Sequence, residues 1–124
     1  MEILINRDYG GFGLSEKAEK LILKGRGIDV DNLSDEDYSE LRKEVLFDGW
    51  NYRKEIRTNT DVLRIVKKLG LKKAAGKYSV LGIAVVPDNV YFEIDDYDGV
   101  EYVTYSFTPM KPAKYLNDDD EDYS

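Results

Sequence analysis

The chain has 124 residues, the usual size of one domain, and 42% of them are hydrophobic, which is enough for a folded interior. It contains no cysteine and no histidine. Disulfide scaffolds, zinc fingers, haem and iron–sulfur sites, and Cys or Ser–His catalysis are therefore excluded. The functions that remain are carboxylate or hydroxyl chemistry, lysine and arginine chemistry, and binding.

The formal net charge of −7 is distributed unevenly along the chain. Residues 1–85 carry 16 Lys and Arg against 14 Asp and Glu, whereas residues 86–124 carry 2 against 11. Five of these acids are consecutive, at positions 118–122. We therefore predict one domain over residues 1–116 and a disordered acidic tail over residues 117–124.

The first part of the chain predicts one strand and three helices. A β-branched run over Ile3–Ile5 is typical of a strand. Three capping residues precede helical apolar spacings, and they are Ser15, Ser34, and either Asn59 or Thr60. In the first helix the predicted apolar face contains Ala18, Leu21 and Ile22. Residues 51–57 remain ambiguous, because they are polar and basic but alternate as a strand does.

From Tyr78 onward the hydrophobic pattern changes to that of strands. Tyr78–Val86, Val90–Asp95 and Val100–Phe107 predict three strands, joined by turns at Pro87–Asn89 and Tyr97–Gly99. Strands joined by such short turns form an antiparallel meander with one face on helices. We therefore expect an α+β fold in which an antiparallel three- to four-stranded sheet packs with two to three short helices.

Two segments have the composition of anion-binding sites. Tyr9–Gly13 combines glycines and aromatic rings before a helix N-terminus, where free N–H groups favour anions, although a tight structural turn explains the same residues. The basic and aromatic segment Trp50–Arg57 precedes the most regular helix. Arg57 could hold a phosphate there with its guanidinium and nearby backbone donors. An equal alternative pairs Arg57 with a carboxylate as a structural clamp.

Tyrosines and acids of the predicted sheet give two further candidates. Five of the ten tyrosines belong to this region, at Tyr78, Tyr91, Tyr97, Tyr102 and Tyr105. Tyrosine can stack on a nucleobase, but it is also common in cross-strand pairs and in oligomer interfaces. The carboxylates between Glu93 and Glu101 do not follow calcium-loop spacing. A solvated sheet edge is therefore favoured over a metal site or a pair of catalytic carboxylates.

Several segments in this order resemble a known group of proteins. They are Ile5–Ser15, Arg57, Leu69-Gly70, Gly76–Tyr78, Val86-Pro87, Ile94 and Tyr97–Glu101. Over residues 3–105 the chain resembles small bacteriophage proteins, and among them the Thoeris anti-defence sponges. The resemblance implies a homo-oligomer in the host cytoplasm that traps cyclic ADP-ribose-type signals made by bacterial TIR enzymes, or cyclic oligonucleotides, without cleaving them.

A ligand of this class has adenine and ribose rings and a pyrophosphate, which are bound by aromatic faces, hydrogen-bonding groups and arginine. The expected ligand-binding residues are Arg7, Tyr9, Phe12, Arg26, Arg57, Asn59, Tyr102 and Tyr105. We expect no catalytic residue, no metal and no cofactor. In one respect the chain departs from the resemblance: it has Thr104–Thr108 where an arginine is expected, and its next cations are Lys111 and Lys114.

An alternative function follows from the charge pattern. In this interpretation the acidic second half binds a host defence nuclease or effector as a mimic of nucleic acid. A small carboxylate enzyme ranks last, and binding of nucleic acid itself is not expected. The first residues show no basic region followed by an apolar segment, and no apolar run could span a bilayer. We therefore expect no membrane association and a cytoplasmic location.

Overall fold

The computed structural model describes residues 1–109, and these residues confirm the α+β class. In chain order the elements are β1 (Glu2–Asn6), α1 (Glu16–Gly25), α2 (Asp35–Val45), β2 (Phe47–Asp48), β3 (Asn51–Tyr52), α3 (Lys54–Thr58), α4 (Thr60–Leu69), α5 (Leu71–Ala74), β4 (Leu81–Val85), β5 (Tyr91–Tyr97) and β6 (Val100–Ser106). The predicted tail over residues 117–124 lies outside the described part of the chain.

The three predicted helices begin at the residues that the sequence indicates. The Ser15 hydroxyl accepts the Ala18 N–H, and the Ser34 hydroxyl accepts the Asp37 N–H, both at 3.1 Å. Each bond satisfies one of the backbone donors that a helix N-terminus leaves free. The Asn59 side chain performs the same role for α4. Two short helices, α3 and α5, were not predicted.

The ambiguous segment 51–57 divides between two elements. Asn51 and Tyr52 form β3, which pairs with β2, and Lys54 begins α3. The alternation that resembles a strand therefore applies to two residues only. In α3 the fully buried Ile56 packs into the core and Arg57 points toward β1, so that the helix is held by tertiary contacts rather than by its own length.

The strands pair two by two, so the predicted single sheet of three or four strands is not confirmed. β4 pairs antiparallel with β1, from Glu2 opposite Val85 to Asn6 opposite Leu81. β5 pairs with β6 from Tyr91 opposite Ser106 to Tyr97 opposite Val100. In a simple meander β5 would be the hydrogen-bonded partner of β4. Here the buried, β-branched β1 is that partner instead.

Two apolar clusters hold the elements together. The larger one packs α1 and α4 against one face of β1, around Ile22, Leu23 and Val66. The smaller cluster joins the other face of β1 to the β5–β6 hairpin through Ile3, Ile5 and Val86. β1 is thus buried on both faces, as its unbroken apolar run indicates. Among the described residues, no helix is long and apolar enough to cross a membrane.

Candidate functional site

Asn6, the last residue of β1, is fully buried and joins three parts of the chain. Its Nδ2 donates to the carbonyl of Gly99 at 2.6 Å, and its Oδ1 accepts the Val80 N–H at 2.9 Å. A buried amide with satisfied hydrogen bonds fixes the position of its partners. Asn6 therefore holds the β5–β6 turn beside the end of β1, where the candidate site begins.

Arg57 and Glu101 form a nearly buried ion pair beside Asn6. The two guanidinium Nη atoms donate to the two carboxylate oxygens at 2.8 and 2.9 Å, in the bidentate arrangement that arginine favours. Arg57 also donates to the carbonyl of Leu4 at 3.1 Å, and Glu101 accepts the Asn6 N–H at 2.9 Å. The pair thus satisfies two backbone groups on the free edge of β1, the Leu4 carbonyl and the Asn6 N–H. The clamp that the sequence allowed for Arg57 is present.

The glycine loop, Gly10–Gly13, approaches its neighbours more closely than a side chain permits. A Cβ on Gly99 would lie 2.7 Å from the nitrogen of Gly11, and a Cβ on Gly10 would lie 2.1 Å from the carbonyl oxygen of Tyr78. Gly10 and Gly99 also have positive φ values, 122° and 90°. The glycines therefore serve the fold as a tight turn, and the backbone of the loop forms one wall of a cleft.

A buried carboxylate organises the opposite wall. Glu19, which is 2% exposed, accepts hydrogen bonds from Arg42 at 2.7 and 2.9 Å and from the Tyr38 hydroxyl at 2.7 Å. The Tyr52 hydroxyl also donates to Glu19 and accepts the Leu14 N–H at 3.2 Å. Burying a charge is tolerated when it is paired and hydrogen-bonded as fully as this one. The network connects α1, α2 and β3 to the glycine loop.

Burial and the Glu19 carboxylate together change the acidity of this network. Burial raises the pKa of Tyr52 and of Tyr38 above the ordinary tyrosine value, and their hydrogen bonds to Glu19 raise it further. The hydrogen bond to Glu19 likewise raises the pKa of Arg42. Both phenols are therefore protonated donors at neutral pH, and neither is prepared to act as a base.

Between these two walls lies a cleft of about 440 Å³. This volume falls in the range of small-ligand sites in proteins. The cleft opens between the glycine loop, the β2–β3 hairpin and the β5–β6 turn. The lining side chains that matter for binding are Phe12, Arg42, Trp50, Tyr52, Arg57 and Asp96. The indole of Trp50 is 96% exposed, so both of its faces are open to a ligand.

The cations of the cleft are already engaged by the protein. Arg57 lies over the ring of Phe12, at 3.5 Å from its centroid, and Arg42 lies over the ring of Phe47 at 4.7 Å. Each guanidinium also pairs with a carboxylate, and Asp96 adds a further negative charge. An anionic group of a ligand must therefore compete with Glu101 or Glu19. Ring stacking and hydrogen bonding are the stronger recognition elements of this cleft.

The cleft contains two of the eight ligand-binding residues expected from the sequence, Phe12 and Arg57. Arg26 instead donates to both carboxylate oxygens of Glu55, at 2.8 and 3.0 Å. The Asn59 side chain accepts the Asp61 and Val62 N–H groups at the start of α4. These two side chains have structural partners in the fold.

The other four expected residues are exposed and are not among the residues that line the cleft. The stem of Arg7 crosses Gly82, where a Cβ would lie 2.3 Å from Cδ of Arg7. Tyr9 is 65% exposed, and the phenols of Tyr102 and Tyr105 are also about half exposed.

Sequence reasoning did not place three important residues in the site: Arg42, Glu101 and Asn6. Arg42 lies between the apolar positions Leu41 and Val45 of α2, and the local pattern does not indicate its role, because its partner Glu19 is 23 residues away. In the sequence Glu101 is only one acid of a cluster. Asn6 and Glu101 both belong to the segments that carry the phage-protein resemblance. The resemblance is therefore the sequence feature that could have identified them as site residues.

Within residues 1–109 no group of three or more Asp and Glu side chains is arranged to hold a metal ion. Comparison of the chain with protein-family models, with curated proteins and with solved structures finds no match in any of the three.

Proposed function

We propose that this protein is a phage-encoded sponge that binds a nucleotide-derived small molecule in the cleft and does not cleave it. The ligand class implied by the sequence resemblance is a cyclic ADP-ribose-type signal or a cyclic oligonucleotide of the bacterial host. Homo-oligomer formation and a location in the host cytoplasm belong to the same proposal.

The exposed indole of Trp50 at the cleft is the observation that carries the proposal. A planar base can stack on such a ring, and each stacked base is worth about 1–3 kcal/mol. The glycine loop offers backbone groups nearby, and Asp96 offers a hydrogen-bond acceptor. This combination of an aromatic face with several polar groups suits a base and a ribose.

The network around the cleft favours binding over catalysis. The phenols of Tyr38 and Tyr52 have raised pKa values and donate to Glu19, while Glu101 is held by Arg57 and the Asn6 N–H. General acid–base catalysis needs a group whose pKa lies near the working pH. The two phenols instead stay protonated at neutral pH and provide a rigid surface for a ligand.

Trp50 is the single tryptophan of the chain, so its fluorescence reports directly on the cleft. We expect saturable quenching when cyclic ADP-ribose isomers or cyclic dinucleotides are titrated into the protein. The ligand recovered from the complex should have an unchanged mass. A cleaved product would make the protein an enzyme, and the absence of both quenching and calorimetric heat with every compound would refute the proposal.

Substitution of Trp50 gives the matched control. Trp50→Ala should weaken binding at least tenfold by calorimetry, since about 1.4 kcal/mol corresponds to a factor of ten, whereas Trp50→Phe should retain most of the affinity. Tyr91→Ala removes an exposed ring of β5 outside the cleft and should leave affinity unchanged. Equal affinities of all three variants and the original protein would place the ligand elsewhere.

Exposed acids on the β5–β6 hairpin favour a second candidate function, inhibition of a host protein with a basic surface. Glu93, Asp96 and Asp98 are all solvent-exposed there. Electrostatic association of this kind weakens steeply with salt. A chain lacking residues 117–124, and a Glu93→Gln/Asp98→Asn variant, should then inhibit less strongly at low salt. Unchanged inhibition by both would exclude this candidate.

A further inference from the structure

A second depression lies between α1 and α4. We call it the helix groove; its volume is about 520 Å³ and its lining residues are Leu21, Gly25, Arg64, Ile65, Lys68 and Leu69. Leu21 was expected on the buried face of α1, but it is 36% exposed, because Ala18, Glu19, Ile22 and Leu23 form that face. The groove is therefore an apolar surface with cations at its edge.

The groove belongs to the most basic part of the molecule. Residues 60–74 carry one acid, Asp61, and five cations, which are Arg64, Lys67, Lys68, Lys72 and Lys73. Arg64 pairs with Asp61 and Lys67 with Glu2, both at the exposed surface. Among the described residues no carboxylate lies within 4.0 Å of the Lys68 ammonium, and Lys68 lines the groove. An occupant of this groove should therefore be apolar and acidic.

We infer that the helix groove binds the segment Tyr115–Asp122 of the same chain. This segment begins with the apolar pair Tyr115-Leu116 and continues with five consecutive acids. The apolar pair matches the surface of Leu21, Ile65 and Leu69, and the acids match the cations of α4 and α5. The segment thus combines an apolar pair with negative charge, and the groove combines an apolar surface with positive charge.

The segment can reach the groove from where β6 ends. Ser106 is paired with Tyr91, and both Met1 and Val90, the neighbour of Tyr91, pack against the smaller cluster. The next residue, Glu2, contacts Lys67 of α4 at 2.6 Å. β6 therefore ends on the side of the molecule where β1 begins and α4 is basic.

The chain between β6 and the acids is long in comparison with α4. Eight residues, 110–117, precede the acidic run. Fully extended, they span at most about 29 Å, whereas α4 with its ten residues is about 15 Å long. The extended segment is therefore longer than the helix that carries these cations.

A second copy of the protein, docking through its own helix groove, would fit this groove less well than the acidic segment. An isologous contact would place Arg64 and Lys68 of one copy against those of the other, and like charges in close contact oppose association. The acidic segment has the opposite charge and is tethered, so its effective concentration at the groove is high. This inference does not depend on the ligand of the cleft.

The chain has no cysteine, so a single spin label can be attached to Ser124→Cys in the full-length protein. We expect the nitroxide to reduce the amide signals of Leu21, Gly25, Ile65 and Leu69 at least twofold relative to the reduced label. Signals of the β2–β3 hairpin should be unaffected. The effect should disappear in 1 M salt, where the screening length is about 3 Å.

Charge variants distinguish docking of the acidic segment in the groove from nonspecific broadening of the amide signals. Lys68→Glu should abolish the signal loss at the groove, whereas Lys43→Glu, an exposed lysine of α2, should not. A uniform loss over both faces of the molecule, or an equal effect of the two variants, would overturn the inference. Loss at the groove in a mixture of labelled-nitrogen and spin-labelled chains would assign the segment to a second copy and would also overturn it.

Discussion

At the scale of single residues, the buried Glu19 network gives the stability of the protein a specific dependence on alkaline pH. Burial raises the pKa of Tyr52 above the unfolded value of about 10. The folded state therefore keeps the phenolic proton when the unfolded chain has begun to release it. The resulting contribution to the free energy of unfolding is complete below pH 10 and decreases as the pH rises through the folded-state pKa.

We expect Tyr52→Phe to lower the free energy of unfolding at pH 7, because Glu19 and the Leu14 N–H each lose a hydrogen-bond partner. We also expect the decrease in stability above pH 10 to become shallower. Urea denaturation between pH 7 and pH 11 measures both effects. Tyr91→Phe, on the exposed face of β5, is the control and should keep the original pH dependence. An identical pH dependence of the two variants would contradict the assignment to Tyr52.

At the scale of elements, Asn59 was expected to bind the ligand, but in the structure it caps α4. Its Oδ1 accepts the Asp61 and Val62 N–H groups at 2.9 and 3.1 Å, which satisfies two free donors of α4. We expect Asn59→Ala to lower the free energy of unfolding by about 1 kcal/mol, whereas Asn59→Asp should be nearly neutral. Chemical denaturation tests the difference.

Ligand titration of the same variants distinguishes the two roles of Asn59. If Asn59→Asp keeps the stability but loses affinity for the cleft ligand, the residue binds as well as caps. If stability and ligand affinity both change only with the capping ability of the substituted residue, the role of Asn59 is structural. The sequence could not separate these roles, because a capping asparagine and a ligand-binding asparagine have the same local pattern.

At the scale of the whole molecule, the Arg57–Glu101 pair connects the β5–β6 hairpin to the core. An isolated two-stranded hairpin is marginally stable, and this hairpin relies on the smaller apolar cluster and on Glu101. Arg57 and Glu101 are only 12% and 9% exposed, so removal of one partner leaves the other charge unpaired and nearly buried.

We expect Glu101→Gln to lower the free energy of unfolding by about 3 kcal/mol, the typical cost of breaking a buried pair. Amide hydrogen exchange should show the loss of protection first in β5 and β6, while α1 and α4 retain theirs. Glu93→Gln, an exposed acid on the same hairpin, is the control and should change neither property. Uniform loss of protection would show that the hairpin and the core unfold together.

The helix positions and the fold class could be predicted because their causes are local. Ser15, Ser34 and Asn59 cap helices with their own side chains, and the apolar spacing of α4 needs no partner to be recognised. The strand pairing was predicted less well. β4 was assigned to a meander with β5, whereas its partner is β1, about eighty residues earlier in the chain.

The candidate site was the least predictable part. Arg57 and Phe12 were selected from composition, but the carboxylates that engage the arginines come from α1 and β6, at distances of 23 and 44 residues in the sequence. Local patterns contain no information on such pairs. The exposure of Trp50 likewise depends on where the β2–β3 hairpin lies relative to the glycine loop.

The absence of histidine and cysteine, the one-domain length and the capped helices were determined by the sequence alone, since each is a property of composition or of neighbouring residues. The charge pattern also showed that residues 1–85 are slightly basic despite a net charge of −7. Tertiary structure decided that both arginines of the cleft are paired and that Arg57 and Glu101 bind the Leu4 carbonyl and the Asn6 N–H of β1. It decided these points because a buried charge must find its partner in space, whatever the separation along the chain.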